Sequence, residues 1–447
     1  MTTPSTGGPR DDEPAPGDLT VLLYGTHLGV LRRTPQGRAT FTASTQALAR
    51  YGVGARPLSM ALPLQTRPVP PEATEAFFGG LLPEGARRDV LARAAGCSRD
   101  DVIGLLRFVG ADVAGAVVLP GPDVTALGPA MTVAQVAREL ADPSGYVGGG
   151  GSGGVAGVRP KIGLARADGR WHAAVDGHAS THILKPVAPD RAHLAHSEAW
   201  LMTIARSIGL TSHAVTVESI GGLPTVVVER FDRTIEGDRV HRVHQEDMAQ
   251  ALGLPWGGDA KYEAIDARAS LRAIAALLDR GRSLFAVGEP DRERMLRYVT
   301  FNVLVGNTDA HAKNYSLVHA AHGHAHLAPL YDVTAPPLEY EGSLTLALKV
   351  GGIAYQPDVT AEALVTEARS WGLGTDRARE VVVRTAQDVL TSVTAAVGAR
   401  EPKIDASISD TLPGYVATQA QNLLEGRRVS IGARVPLALL RRIPVPG

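Results

Sequence analysis

Three side chains in one stretch of the chain have the types and spacing that phosphoryl transfer to a hydroxyl requires: Asp309, Asn314 and Asp332. They lie in FNVLVGNTDAHAKNYSLV (301–318) and in LAPLYD (327–332). In such chemistry one Asp takes the hydroxyl proton or orients the nucleophile, and an Asn five positions later binds metal. A second Asp, one hairpin further on, binds the metal that bridges the phosphates. His311, inside the same loop, is placed to orient Asp309 or to touch phosphate. A polar loop whose Asp and Asn only make turn hydrogen bonds would look similar. The second Asp beyond a hairpin favours phosphoryl transfer.

The elements around these residues must bring them together. An apolar helical run (Met295, Leu296, Val299, Val303) leads into the loop and stops at Gly306; after it come a strand, a turn at Gly323 and a second strand ending at Asp332. Upstream, GYVGGGGSGG (145–154) has the composition of a flexible linker. It runs, however, into a hairpin turning at Asp168–Gly169 and then into STHILKP (180–186), which carries Lys185. A glycine-rich segment followed by a strand lysine resembles a phosphate-covering loop with its anchoring lysine. A helix over 194–208 then carries Glu198; a Lys–Glu pair across strand and helix positions nucleotide in kinases. The strand 224–231 ends in Glu229, Arg230 and Phe231. That suits a hinge whose backbone pairs with adenine, and equally an edge strand ending in charges.

The chain of 447 residues is long enough for two or three domains. A net charge of −1 gives no general polyanion-binding surface. Cys97 is the only cysteine, which precludes an internal disulfide and suits a reducing interior. No apolar run is long enough to span a bilayer. Residues 1–17 lack the order of a signal peptide and read as a disordered tail, so a cytoplasmic location without membrane contact is expected. Residues 18–122 read as a small α+β unit in which nothing looks catalytic, 123–232 as a strand-rich nucleotide-binding lobe, and 233–447 as a mainly helical lobe. In the last, VHQEDMAQALG (243–253) is expected to open a helical region. His319, His322, His324 and His326 cluster on the hairpin between the two carboxylates. Histidines so placed more often face solvent than hold a structural metal.

The chain also resembles the HipA family, serine/threonine kinase toxins of type II toxin–antitoxin pairs, over nearly its whole length from about residue 19. The resemblance is carried by FFGGLLPEGARRDVLARAAG (77–96), VGADVAGAVVLP (109–120), AGVRPK (156–161), STHILKP (180–186), ERFDR (229–233), HQEDMAQ (244–250), KYE (261–263), GNTDAHAKNYSL (306–317) and LYDVTAP (330–336). It implies an α+β, two-lobed fold of protein-kinase or phosphoinositide-kinase type with a small α+β N-terminal subdomain. It also implies ATP and Mg2+ as cofactors and a protein hydroxyl as substrate, such as one on an aminoacyl-tRNA synthetase. The implied partner is a small helix-turn-helix antitoxin of HipB type, with DNA reached only through that complex. By carry-over, Gly154, Val155, Ala156, Gly157 and Lys161 belong to the loop over the nucleotide, and Lys185 contacts phosphates. Glu229 and Phe231 hold adenine through their backbone, Gln245 lies near the nucleotide, and His311 and Tyr331 line the pocket. Asp309 is the base; Asn314 and Asp332 bind Mg2+. One departure stands out: the family loop pattern S-x-x-G-x-x-x-K has Gly154 in place of the serine, and Ser152 comes two residues early. The family's self-inactivation, by phosphorylation of that serine, is not expected at Gly154. Two other readings are a small-molecule kinase of aminoglycoside or choline type and an inactive pseudokinase serving as antitoxin co-repressor. The N-terminal subdomain speaks against the first, and retention of Lys185, Asp309, Asn314 and Asp332 against the second.

Overall fold

The structure is a computed structural model that describes residues 14–119, 121, 123–148, 151, 159–281, 290–320, 324–336, 343–399 and 411–429. Its first unit is built on a four-stranded antiparallel sheet in the order Ala39–Ala43, Thr26–Arg33, Leu19–Leu23, Val117–Val118. Alternate residues of Leu19–Leu23 are buried, as a strand with one covered face requires. Tyr24 and Gly25 both take positive φ (51° and 69°), the tight turn whose twist matches that of the flanking strands. The helix Pro71–Gly80 starts with a proline at its first position and Glu72 in its first turn, both favourable at a helix N-terminus. With Gly85–Ala95 and Val102–Val109 it covers the sheet over a core that includes Phe41, Phe77 and Phe78.

A six-stranded antiparallel sheet follows, in the order Ala130–Met131, Arg170–Ala173, Ile162–Ala167, His182–Pro186, Leu223–Glu229, Val215–Ile220. The hairpin between its second and third strands turns at Asp168–Gly169, both at positive φ. Leu223–Glu229 has a neighbour on each side, so it is not the edge strand that its charged end also allowed. The helix Ala192–Ser207 packs on this sheet with Trp200, Leu201 and Ile204 buried.

The third part is mainly helical. Leu271–Gly281, Asp291–Val305, Ala361–Ser370, Thr375–Ala399 and Leu412–Leu424 share one core, which also takes in residues of Ala192–Ser207. Two of its features depart from the sequence expectation. Gln245–Asp247 is a strand, paired with Ser316–His319, and only Met248–Ala251 of that segment is helical. The reason is a capping box: Asp247 accepts from Gln250 N while Gln250 accepts from Asp247 N, so the helix starts no earlier than Met248. A second hairpin, Arg233–Glu236 with Arg239–Arg242, was not anticipated. The histidine cluster also separates. His319 is buried and bonded to Glu246 Oε1 at 2.9 Å, not solvated, and His326 pairs with the neighbouring Val318, on the opposite face of the hairpin. His322 lies outside the described residues. Among the described residues no helix is long and apolar enough to cross a membrane.

The three parts meet at a buried ionic junction. Arg230 makes two bonds to Asp232, at 2.9 and 2.8 Å, and reaches Ser180 Oγ and the Val113 carbonyl. Arg233 donates to Asp112 and to the carbonyls of Val113 and Gly115, while Asp232 accepts from Gly115 N. The ERFDR segment thereby ties the N-terminal unit to the strand end at Glu229. Burial alone would raise the Asp232 carboxyl, but Arg230 and Arg233 outweigh it and hold it at about 2. A carboxylate depressed in the folded state adds stability above its unfolded pKa of about 4, and that stability fades as pH falls towards about 2. Arg230→Met leaves two buried carboxylates short of a partner. It is expected to lower the unfolding free energy by about 3–5 kcal/mol at neutral pH, measured in urea, with a smaller difference from wild type near pH 3.

Candidate active site

The helix Asp291–Val305 ends at Gly306, whose φ of 75° is the left-handed cap that terminates it, and the chain turns into the loop of Asp309, His311 and Asn314. The loop is closed by its own backbone: His311 N donates to Asp309 O at 2.7 Å and Asn314 N to His311 O at 2.8 Å. The hairpin Ser316–His319/Ala325–Leu327 then returns the chain so that Asp332 faces this loop. Asp332 itself sits at φ 55°, in the left-handed region that a non-glycine residue rarely takes. The Asn314 amide donates weakly to the carbonyls of Asp309 (3.4 Å) and Asp332 (3.5 Å), which links the two carboxylate-bearing segments.

Opposite stands Lys185, at the end of the strand His182–Pro186 and buried. Its ammonium bonds Glu198 Oε1 at 2.7 Å and Asp332 Oδ1 at 2.8 Å. Burial would lower the Lys185 pKa, but the Asp332 and Glu198 carboxylates outweigh it and hold the ammonium well above the usual lysine range. Asp332 is held well below the carboxylate range, chiefly by Lys185. Its side chain stays 45% exposed to the open cleft. Lys161 lies beside this pair; burial, with the nearby Lys185 charge, brings it down to about 7.

These residues line one cavity of about 400 Å³. One end is apolar and aromatic. Phe231 packs against Tyr331 with ring centres 5.6 Å apart and against His213 at 6.0 Å, near Ile183, Met202 and Val228. Glu229 N is used by Ala214 O and Arg230 N by Thr181 O, whereas Phe231 makes no backbone hydrogen bond among the described residues. Its amide and carbonyl are therefore available to a planar ligand. Gln245 lines the same cavity, and its buried Oε1 has no hydrogen-bond partner among the described residues. The other end holds Arg159, Lys161 and Lys185 facing Asp309, Asn314 and Asp332.

At the loop, Tyr262 OH donates to Asp309 Oδ1 at 3.0 Å. Burial raises the Asp309 carboxyl despite that hydrogen bond and the nearby Lys261, which makes it a stronger base. His311 is buried edge-on to the Tyr262 ring, and burial with the Lys261 charge lowers it to about 3. It is thus a neutral imidazole at physiological pH, and its Nδ1 has no hydrogen-bond partner among the described residues. The donor set facing the cleft suits Mg2+, which prefers oxygen ligands and keeps part of its water: the Asp332 carboxylate is partly exposed, and the Asn314 amide spends its N–H groups on carbonyls, leaving Oδ1. The apolar end, the free Phe231 backbone and the cationic end together suit a nucleoside triphosphate.

Lys161, Lys185, Glu229, Phe231, Gln245, Asp309, His311, Asn314, Tyr331 and Asp332 all line this cavity. Gly154, Val155, Ala156 and Gly157, like Ser152, lie outside the described residues. Sequence reasoning gave no role to Tyr262 or Lys261, though KYE stood out as a motif, and none to Glu84, which reaches the cavity from the N-terminal unit. That unit therefore lines part of the cleft.

Comparison with known proteins adds an independent line. Residues 153–393 match the HipA-like C-terminal domain and residues 19–119 the HipA N-terminal domain. A Sinorhizobium fredii protein named as a kinase is 36% identical over 71% of this chain and 77% of its own length. The serine/threonine-protein kinase toxin HipA of Shewanella oneidensis is 30% identical over 65% of this chain and 70% of its own. Among solved structures, a chain of the Shewanella oneidensis complex of HipA, HipB and operator DNA superposes with a TM-score of 0.74. It is 24% identical, and the match covers 92% of this chain and 97% of that one.

Proposed function

The chain belongs to the HipA family of kinases, and from that premise we propose that it is an ATP- and Mg2+-dependent serine/threonine protein kinase, the toxin of a cytoplasmic toxin–antitoxin pair. The observation that carries this reading is the union in one cavity of the Lys185–Glu198 pair, Asp332, Asn314 and a half-buried Asp309. Bound Mg-ATP supplies the γ-phosphoryl group and the charge neutralisation for its transfer. The protein's own part is positioning and proton removal. The Phe231 backbone and aromatic end hold the base, Lys185 and Lys161 hold phosphate oxygens, and Asn314 and Asp332 hold the cation. Asp309, oriented by Tyr262 and raised by burial, accepts the proton of the attacking hydroxyl. The neutral His311 offers a hydrogen bond without adding charge.

The substrate proposed is a protein hydroxyl on the translation apparatus, such as an aminoacyl-tRNA synthetase, and the restraining partner a small helix-turn-helix protein of HipB type. The relative solved with HipB and operator DNA supports such a partner, with DNA engaged only through it. Gly154 has no hydroxyl, so restraint by the partner would matter more than self-phosphorylation at that position. Incubation of the purified protein with γ-labelled ATP and a cell lysate tests the activity; label on serine or threonine of a discrete protein supports it, and no transfer overturns it. In cells, expression without a partner is expected to arrest growth within a few generations, and Asp309→Ala to relieve the arrest. Equal toxicity of both forms would assign the arrest to something other than phosphoryl transfer.

A further inference from the structure

Glu84 follows the helix Pro71–Gly80 in the LLPEG turn and belongs to the N-terminal unit, yet its side chain enters the wall of the kinase cavity. Its Oε2 accepts from Lys261 Nζ at 2.5 Å, and its Oε1 lies 3.7 Å from Lys313 Nζ. Burial would raise this carboxyl, but Lys313 and Lys261 outweigh it and keep it below the usual range, so it is an anion at neutral pH.

Each lysine leads to one half of the chemistry. Lys313 directly precedes Asn314, and its ammonium is also held by Asp247 Oδ2 at 2.7 Å and by the Gly80 carbonyl at 3.1 Å. Lys261 accepts the Ala312 N–H on its carbonyl at 3.1 Å, in the middle of the catalytic loop, and the next residue, Tyr262, bonds Asp309. One carboxylate thus stands at a fork, with an arm to the metal-binding Asn and an arm to the base. The N-terminal helix is seated for this. A Cβ on Gly79 would fall 2.3 Å from the Trp256 ring, and one on Gly80 2.6 Å from the Gln250 side chain, so only glycine permits the approach.

We infer that Glu84 is a positioning residue for phosphoryl transfer, through which the N-terminal unit sets the Asp309–Asn314 loop. This rests on the kinase reading. Long lysine side chains have several rotamers to choose among; the Glu84 hydrogen bond selects one for Lys261, and its charge adds to the Asp247 and Gly80 bonds that already hold Lys313. Without it the Lys261–Tyr262 arm to Asp309 relaxes while Lys313 keeps its bonds to Asp247 and Gly80, and a displacement of about 1 Å at the reacting groups can cost about a hundredfold in rate. Nucleotide affinity is set elsewhere, by Lys185 and the Phe231 end, and should not follow.

The test uses the full chain with γ-labelled ATP, measuring label incorporated into lysate protein and phosphate released from ATP, beside the Kd of a fluorescent ATP analogue. Glu84→Gln is expected to lower kcat between about tenfold and a hundredfold, with KM for ATP and analogue affinity within about twofold of wild type. Glu84→Asp, which keeps the charge one methylene shorter, should fall between. Glu84→Gln combined with Lys261→Met should lose less than the product of the two single losses, because both remove the same contact, while Lys261→Met also removes a charge near Asp309. Wild-type kcat for Glu84→Gln, or full additivity in the double variant, overturns the inference and leaves the kinase reading standing. So does loss of analogue binding in Glu84→Gln, which would mark a structural role. An inert wild type, with neither transfer nor phosphate release, overturns the kinase reading itself.

Discussion

Asp309→Ala is expected to abolish phosphoryl transfer while ATP still binds with near wild-type affinity. Asp309 is the half-buried carboxylate at the centre of the loop, raised by its surroundings and bonded on one oxygen by Tyr262. The other oxygen is left for the hydroxyl that attacks. Among the described residues no hydrogen bond or ion pair joins Asp309 to Lys185 or Phe231, so its loss leaves the proposed nucleotide contacts in place. A positioned general base contributes about 10²–10⁴ in rate, and turnover should fall by at least that factor. Asp309→Asn sharpens the result, because it keeps the shape and an acceptor for Tyr262 but cannot take up a proton. Labelled-phosphate transfer gives the rate and calorimetry with ATP the affinity. Wild-type turnover by either variant would remove Asp309 from the mechanism.

Asp332→Ala is expected to have a different signature, losing activity and the Mg2+ dependence of ATP binding together. Asp332 is bonded to Lys185 at 2.8 Å and linked through its carbonyl to Asn314, so it stands between that lysine and the loop. Its side chain is the most exposed anion of the group and carries full negative charge at neutral pH, because Lys185 holds its pKa far down. Removal takes away one of the two oxygen ligands proposed for the cation, and turnover should drop by at least about 10²-fold. Titrating ATP with and without Mg2+ separates the two variants. Asp309→Ala keeps the difference between the two curves, and Asp332→Ala erases it. An Asp332→Ala protein that still binds ATP more tightly with Mg2+ would place the cation elsewhere.

Local spacing carried much of what could be read along the chain. The step from Asp309 to Asn314 is one loop, and the step to Asp332 is one hairpin, so neighbouring residues bring these side chains to the same place. The same holds for Lys185 and Glu198, separated by one strand end and the helix that follows. Hydrophobic alternation and the glycine turns marked the strands of the first unit for the same reason: each depends on residues within a few positions.

Only the tertiary structure decided the rest, because the partners are far apart and carry no periodic signal. Tyr262 meets Asp309 across 47 residues, and Glu84 meets Lys261 across 177. Arg230, at a charged strand end that could have faced solvent, turns inward to a junction whose other members include Asp112 and Gly115 of the first unit. The Asp247–Gln250 capping box marks where the helix starts, but the residues before it form the strand Gln245–Asp247 only because Ser316–His319 lies alongside. A buried charge is stable only where an opposite charge is packed against it. Which carboxylate meets which lysine is therefore fixed when the N-terminal unit docks on the helical lobe, and local sequence, which sets the loop and the hairpin, does not encode that docking in any single stretch.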